Sequence, residues 1–199
     1  MRGREAFVTG LVAAALTVVP AAHAACDEPV ASAHAAKRVS GDLPPVAIGD
    51  STMVLAVPYL AQRGFDVNAR ACRNWNEGLG MLRHLKARHR LPSVVVLALG
   101  ANSTLRPVDI QRALKLIGPK RTLGLPTHRT WFGKPGPDTT VIRRMARRHP
   151  TRIRLIDWVR YARPHPEWFR NGGYDDGLHT NKLGARKYAA FIAAAVAQK

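Results

Sequence analysis

The run Ser93-Val94-Val95-Val96-Leu97-Ala98-Leu99 sets apolar side chains at almost every consecutive position. A strand points successive side chains to opposite faces, so this one must be buried on both, which is the habit of a parallel sheet covered by helices. The segments around it fit the same plan. Residues 46–48 form a short apolar run closed by Gly49, and 65–69, 121–125 and 153–156 read as further strands. Between and after them, apolar residues recur at helical spacing over 54–62, 77–89, 108–117, 139–148 and 181–197. Strictly alternating elements predict an α/β fold: a three-layer α/β/α sandwich on a five-stranded parallel sheet, binding its ligand beyond the C-terminal strand ends. Residues 127–137 and 164–175 are polar and rich in Pro and Gly, and are expected to rim that site.

The N-terminus speaks to compartment. Arg2 and Arg4 precede an apolar run over 7–19, followed by Pro20 and the small-residue sequence Ala22-His23-Ala24, the three-part layout of a secretory signal peptide. Residues 1–24 are therefore expected to be that signal, with an uncleaved anchor as the rival reading; the run is shorter than the roughly 20 residues a bilayer needs. Residues 25–44, rich in Ala, Ser and Lys without periodicity, are expected to be a tether, and 45–199 a single domain of ordinary core size. Two cysteines, Cys26 and Cys72, make an even pair, and in an exported chain an even pair is expected to form a disulfide. The net charge of +18 comes from arginines and lysines scattered along the chain without a recognised nucleic-acid module. It fits solvated helix faces or attraction to anionic envelope polymers, and no nucleic-acid partner is expected.

Three short blocks carry chemistry. Gly49-Asp50-Ser51 ends the first strand and opens a helix, where unpaired N–H groups point at whatever the serine holds. By itself it is equally a helix cap. Asp176-Gly177-Leu178-His179 sits just before the last helix, and its two-residue gap lets the carboxylate hold one ring nitrogen while the other faces a serine. Gly100-Ala101-Asn102 closes the valine strand and brings an amide donor to the same sheet edge, though such an Asn also makes ordinary turns. Together, at neighbouring strand ends, the three are harder to explain separately. Trp131 and Phe132 on the rim suit either sugar stacking or packing, Trp158, Trp168 and Phe169 suit anchoring, and His128, His149 and His165 lack metal-ligand spacing. No metal and no cofactor are expected.

These blocks resemble the SGNH or GDSL hydrolase superfamily, from Val46 to the end of the last helix. The resemblance implies a flavodoxin-like sheet and ester hydrolysis or acyl transfer through an acyl-serine, with Ser51, Asp176 and His179 as the catalytic residues. More narrowly, "VVVLALGANSTL", "LIDW", "HPEWF" and "DDGLHTNKLGARKYA" are similar to the extracytoplasmic SGNH domains of wall-polysaccharide O-acetyltransferases. Full-length members of that group carry an integral membrane acyltransferase, so a separate membrane acyltransferase is an implied partner. One block departs from the pattern: where the superfamily places a glycine after the second strand, "VNARACRN" sets Cys72, followed by Arg73. The implied oxyanion donors are the N–H groups of Ser51 and Cys72 and the Asn102 amide, with Arg73, Gly100 and Trp131 as candidate substrate contacts.

The expected function is an exported serine esterase or O-acyltransferase acting on small acyl esters, acetyl above all, of cell-envelope glycans. Two alternatives stay open at this point: a lipid or lysophospholipid esterase, and an inactive glycan- or polyanion-binding module on the same fold. The short rim without a long apolar lid argues against long acyl chains.

Overall fold

The computed structural model describes residues 26, 30–36, 42–171 and 174–197, and the expected signal segment lies outside them. A six-stranded sheet runs in the order β1-β3-β2-β4-β5-β6. Its strands are β1 (Ala31–Ala33), β2 (Val46–Gly49), β3 (Asp66–Ala69), β4 (Val94–Ala98), β5 (Thr122–Pro126) and β6 (Ile153–Ile156). β2 through β6 pair in parallel, which gives the five-stranded parallel sheet read from the sequence.

The sixth strand corrects that reading. Ala31–Ala33, within the expected tether, pairs antiparallel with β3, Ala31 opposite Ala69 and Ala33 opposite Val67. The physical reason is the open edge of β3, whose N–H and C=O groups need partners. A short strand of small residues supplies them without needing the periodicity that marks a longer one.

Alternation along each strand builds two cores. Val96 and Ala98 of β4 pack with Met53, Leu60, Trp158, Tyr188 and Ile192. Val95, Leu97 and Leu99 join Leu79, Leu82, Ile110, Ile117 and Met145 on the opposite face. Helices α1 (Val57–Ala61), α5 (Trp158–Ala162) and α6 (Lys182–Ala197) cover the first side, and α2 (Trp75–Ala87), α3 (Pro107–Ile117) and α4 (Thr139–Arg148) cover the second. Among the described residues, no helix is long and apolar enough to cross a membrane.

Two sets of contacts fix the C-terminal part of the chain. Trp158 stacks on Trp168 with ring centroids 5.6 Å apart, holding the 3₁₀ turn Pro166–Phe169 against the core. Asn181 then caps α6: its side-chain oxygen accepts from Gly184 N–H at 2.9 Å, while its amide donates to the carbonyls of Glu167 at 2.7 Å and Arg170 at 3.0 Å. The residues just before α6 are thereby held at the strand ends.

Asp138, directly before α4, is 1 % exposed, and its Oδ2 has no hydrogen-bond partner. Burial pushes its carboxyl up to about 6, against the backbone N–H of Leu105. The folded state therefore holds this proton more tightly than the unfolded chain. Asp138 contributes most to stability below its ordinary pKa, and that contribution is lost as pH rises through about 6. Asp138→Asn keeps a carbonyl acceptor and removes the ionisation. It should match the wild type near pH 4 and exceed it above pH 7 by up to about 3 kcal/mol, from about 1.4 kcal/mol per unit. Thermal melts of both proteins across that range test this; parallel profiles would contradict it.

Candidate active site

Ser51 is the first residue of a 3₁₀ turn, Ser51–Ala56, that leads into α1. The sequence alone suggests a continuous helix over 54–62; the chain instead winds tightly until Pro58 enters α1 near its start. The cap is Asp50, whose Oδ1 accepts from Thr52 N–H at 3.0 Å and Thr52 Oγ1 at 2.7 Å. Its Oδ2 accepts from Ala101 N–H at 3.1 Å. Asp50 is thus fully buried between the ends of β2 and β4, and fixes the Gly49-Asp50-Ser51 turn against the Gly100-Ala101-Asn102 loop. Burial pushes its carboxyl above the ordinary carboxylate range, opposed by the Thr52 hydroxyl and the N–H groups of Ala101 and Thr52.

From the other side, the segment before α6 brings in His179. Its Nε2 lies 3.0 Å from Ser51 Oγ, and its Nδ1 lies 2.6 Å from Asp176 Oδ2. Asp176 is 7 % exposed, and its Oδ1 accepts from Leu178 N–H at 2.8 Å and His179 N–H at 2.7 Å. One carboxylate oxygen therefore shapes the turn while the other orients the ring. Gly177 has φ +67°, and a Cβ there would run into the backbone of Gly133. The rim loop is thereby pressed directly onto the Asp176–His179 turn.

That loop is a tight reversal in which Arg129 bridges Pro135 and Thr130 N–H donates to Lys134 O at 2.8 Å. It presents Trp131, whose ring meets the His179 ring edge-on with centroids 5.3 Å apart. Trp131 is half-exposed and Phe132 is 88 % exposed, so neither is a core anchor. Trp158, Trp168 and Phe169, by contrast, are buried. A cavity of about 370 Å³ opens between Gly100, Asn102, Thr104, His128, Thr130 and Trp131. Gly100 is required there, because a Cβ would strike the His128 ring, which burial pushes down to about 4. A larger cavity of about 700 Å³ lies between β1, β3 and α2, is lined by residues such as Ser32, Met81 and Leu85, and touches neither Ser51 nor His179.

The turn after β3 carries the other expected donor. Cys72 is bonded to Cys26, with Cα atoms 5.2 Å apart, and its backbone is left-handed at φ +56°. Among the described residues, the N–H groups of Ser51 and Cys72 donate to nothing. The Asn102 amide donates to Arg73 O at 3.5 Å and is otherwise exposed.

Arg73 is a correction to the expected substrate contacts. It is 4 % exposed, and its guanidinium donates to Gly49 O at 3.0 Å, Asn68 O at 2.7 Å and Asn68 Oδ1 at 2.6 Å. Gly49 O also accepts from Arg70 N–H at 3.2 Å, and a buried guanidinium is shaped to bind several acceptors at once. Arg73 braces the site from beneath. Neither this role nor that of Asp50 is marked by periodicity; the Asp50 role was discoverable only in that a carboxylate beside a candidate nucleophile needs buried donors.

Ser51, Asp176, His179, Gly100, Asn102, Cys72 and Trp131 thus converge on one edge of the sheet. A hydroxyl in line with an imidazole and a carboxylate, beside unpartnered N–H groups, can attack a carbonyl and hold the charge that develops on its oxygen.

No family model matches the chain. It is 26 % identical over 155 residues to YrhL of Bacillus subtilis (strain 168), a protein provisionally named a peptidoglycan O-acetyltransferase. The match covers 76 % of this chain and 23 % of that relative's length. Among solved structures, it is similar to the C-terminal catalytic domain of Streptococcus pneumoniae peptidoglycan O-acetyltransferase A, solved with a methylsulfonyl adduct, at TM-score 0.66 and 23 % identity. That likeness covers 77 % of this chain and 92 % of that one. A member of the lipolytic G-D-S-L family from Veillonella parvula DSM 2008 aligns at TM-score 0.56 and 10 % identity, over 78 % of this chain and 98 % of that one. The fold read from the three motifs is therefore the one these proteins share.

Proposed function

We propose that the chain is an SGNH-type serine enzyme that moves small acyl groups, acetyl foremost, on cell-envelope glycans. The observation that carries this reading is the relay from Asp176 Oδ2 through His179 to Ser51 Oγ, at 2.6 and 3.0 Å, beside the N–H groups of Ser51 and Cys72, which donate to nothing among the described residues. His179 Nε2 takes the Ser51 proton as Oγ bonds to the ester carbonyl carbon. Asp176 holds the tautomer and steadies the imidazolium. The Ser51 and Cys72 N–H groups and the Asn102 amide receive the oxyanion. Collapse breaks the bond to the alcohol, which leaves with the proton from His179, and the acyl group stays on Ser51. A second acceptor, water or a sugar hydroxyl, then gives its proton to His179 and takes the acyl group, restoring Ser51.

The substrate class draws support from the names of the relatives, both assigned to peptidoglycan O-acetylation. The signal-like residues 1–24 support a location outside the cytoplasm, and a membrane acyltransferase on another chain is the natural acyl supplier. Acetyl fits the cavity of about 370 Å³ beside Trp131, where the small residues Gly100, Ala101 and Ser103 face Trp131, Pro137 and Leu178. Turnover of 4-nitrophenyl acetate should therefore exceed that of the octanoate by about tenfold or more in kcat/KM. Preference for octanoate would point instead to a lipid esterase. Chitooligosaccharide added to the acetate assay should appear acetylated if the enzyme is a transferase, and free acetate alone should appear if it is an esterase.

A further inference from the structure

We infer that the Cys26–Cys72 disulfide is a positioning device for catalysis: it holds residue 72 in the left-handed conformation that presents its N–H to the oxyanion. This rests on the acyl-serine reading above. Cys72 and His89 are the non-glycine residues at positive φ among the described residues. For a residue with a Cβ, that region is strained, and glycine enters it freely. Relaxing φ at 72 to negative values would require the peptide plane joining Ala71 and Cys72 to turn over, carrying the N–H with it.

The surroundings hold the flanks of this residue more firmly than the residue itself. On one side, Arg70 N–H donates to Gly49 O at 3.2 Å, and the Arg70 side chain pairs with Glu77. On the other, the Arg73 guanidinium is fixed to Gly49 O and Asn68. Both anchors meet the end of β2, just before Asp50 and Ser51. The N–H of residue 72 donates to no group among the described residues, and its side chain is tied to the rest of the fold by the sulfur bridge to Cys26. An amide left unpartnered in a strained turn beside a nucleophile is the geometry of a preorganised donor. Cys26 thus reaches the chemistry through covalent bonds, although it lies 46 residues away in sequence.

Two variants without the bridge separate this from a purely stabilising bond. Cys26→Ser/Cys72→Ser keeps a Cβ at residue 72, and Cys26→Ser/Cys72→Gly removes it. On 4-nitrophenyl acetate the serine pair should lose about 10- to 100-fold in kcat with KM within about twofold, a part of the loss typical for removing one oxyanion donor. The glycine pair should recover to within about threefold of wild type, although its melting temperature stays as low as that of the serine pair, or lower. A bond that only stabilises would lower both melting temperatures and leave the two kcat values alike; that result overturns the inference, as does wild-type kcat in the serine pair. If the serine pair does not fold, the glycine pair decides: near-wild-type kcat supports the inference and a slow enzyme overturns it. Ser51→Ala, assayed alongside, tests the underlying reading: activity equal to wild type removes both claims, whereas Ser51-dependent turnover with a fully active serine pair removes this one alone.

Discussion

Ser51→Ala will lower kcat on 4-nitrophenyl acetate about ten-thousand-fold or more, as removal of a serine nucleophile does where base and oxyanion donors act as a unit. The hydroxyl that His179 Nε2 faces is Ser51 Oγ, at 3.0 Å. The fold should be untouched, because the cap of the turn is the buried Asp50 carboxylate, and Ser51 contributes only its first position. A melting temperature within about 2 °C of wild type is expected for a substitution that removes no cap, core atom or buried bond. A variant that keeps more than a tenth of the activity would mean that another group attacks the ester.

Asp176→Asn should be nearly as severe, with a loss of about ten-thousand-fold. The Asn oxygen can still accept from the N–H groups of Leu178 and His179, so the turn is kept. Its NH₂ then faces His179 Nδ1, where the carboxylate oxygen sat at 2.6 Å. Two donors cannot share that contact. The ring is driven to the tautomer that carries its proton on Nε2, and in that form it cannot take the proton of Ser51. The loss should appear in kcat with little change in KM, and circular dichroism should match wild type. A variant within tenfold of wild type would show that the carboxylate only shapes the loop.

Much of this site was legible before the structure because its chemistry is local. Asp176 and His179 are three apart, Gly49-Asp50-Ser51 is one turn, and the valine strand leads straight into Gly100-Ala101-Asn102. The layered fold was legible for a similar reason, since burial of both strand faces leaves an apolar run that periodicity detects. What escaped depends on contacts between distant segments. The strand Ala31–Ala33 is defined by the edge of β3 rather than by its own pattern. The short hairpin of Arg170–Asn171 with Tyr174–Asp175 and the helix Trp158–Ala162 are too brief for a period to show. Arg73 looked like a surface cation ready for substrate, and only the carbonyls of Gly49 and Asn68 reveal why it turns inward. Cys72 was visible as a departure from the superfamily's glycine, yet its left-handed backbone, which a glycine would adopt freely, belongs to the folded turn.

The close contact between Gly133 and Gly177 ties the rim loop to the Asp176–His179 turn. Because the rim loop rests on the backbone between Asp176 and His179, Trp131 is carried to the edge of the His179 ring by the same turn that orients that ring. A substrate face laid on Trp131 would therefore meet Ser51 at a fixed distance, which is how binding groups reduce the freedom lost in the transition state.

The measurement that tests the central claim most directly is intact-protein mass spectrometry after brief mixing of the wild type with 4-nitrophenyl acetate, followed by peptide mapping. One acetyl group is expected, located on Ser51, disappearing with time and absent from Ser51→Ala. An acetyl group found elsewhere, or turnover that proceeds with Ser51 never modified, would contradict the acyl-serine mechanism.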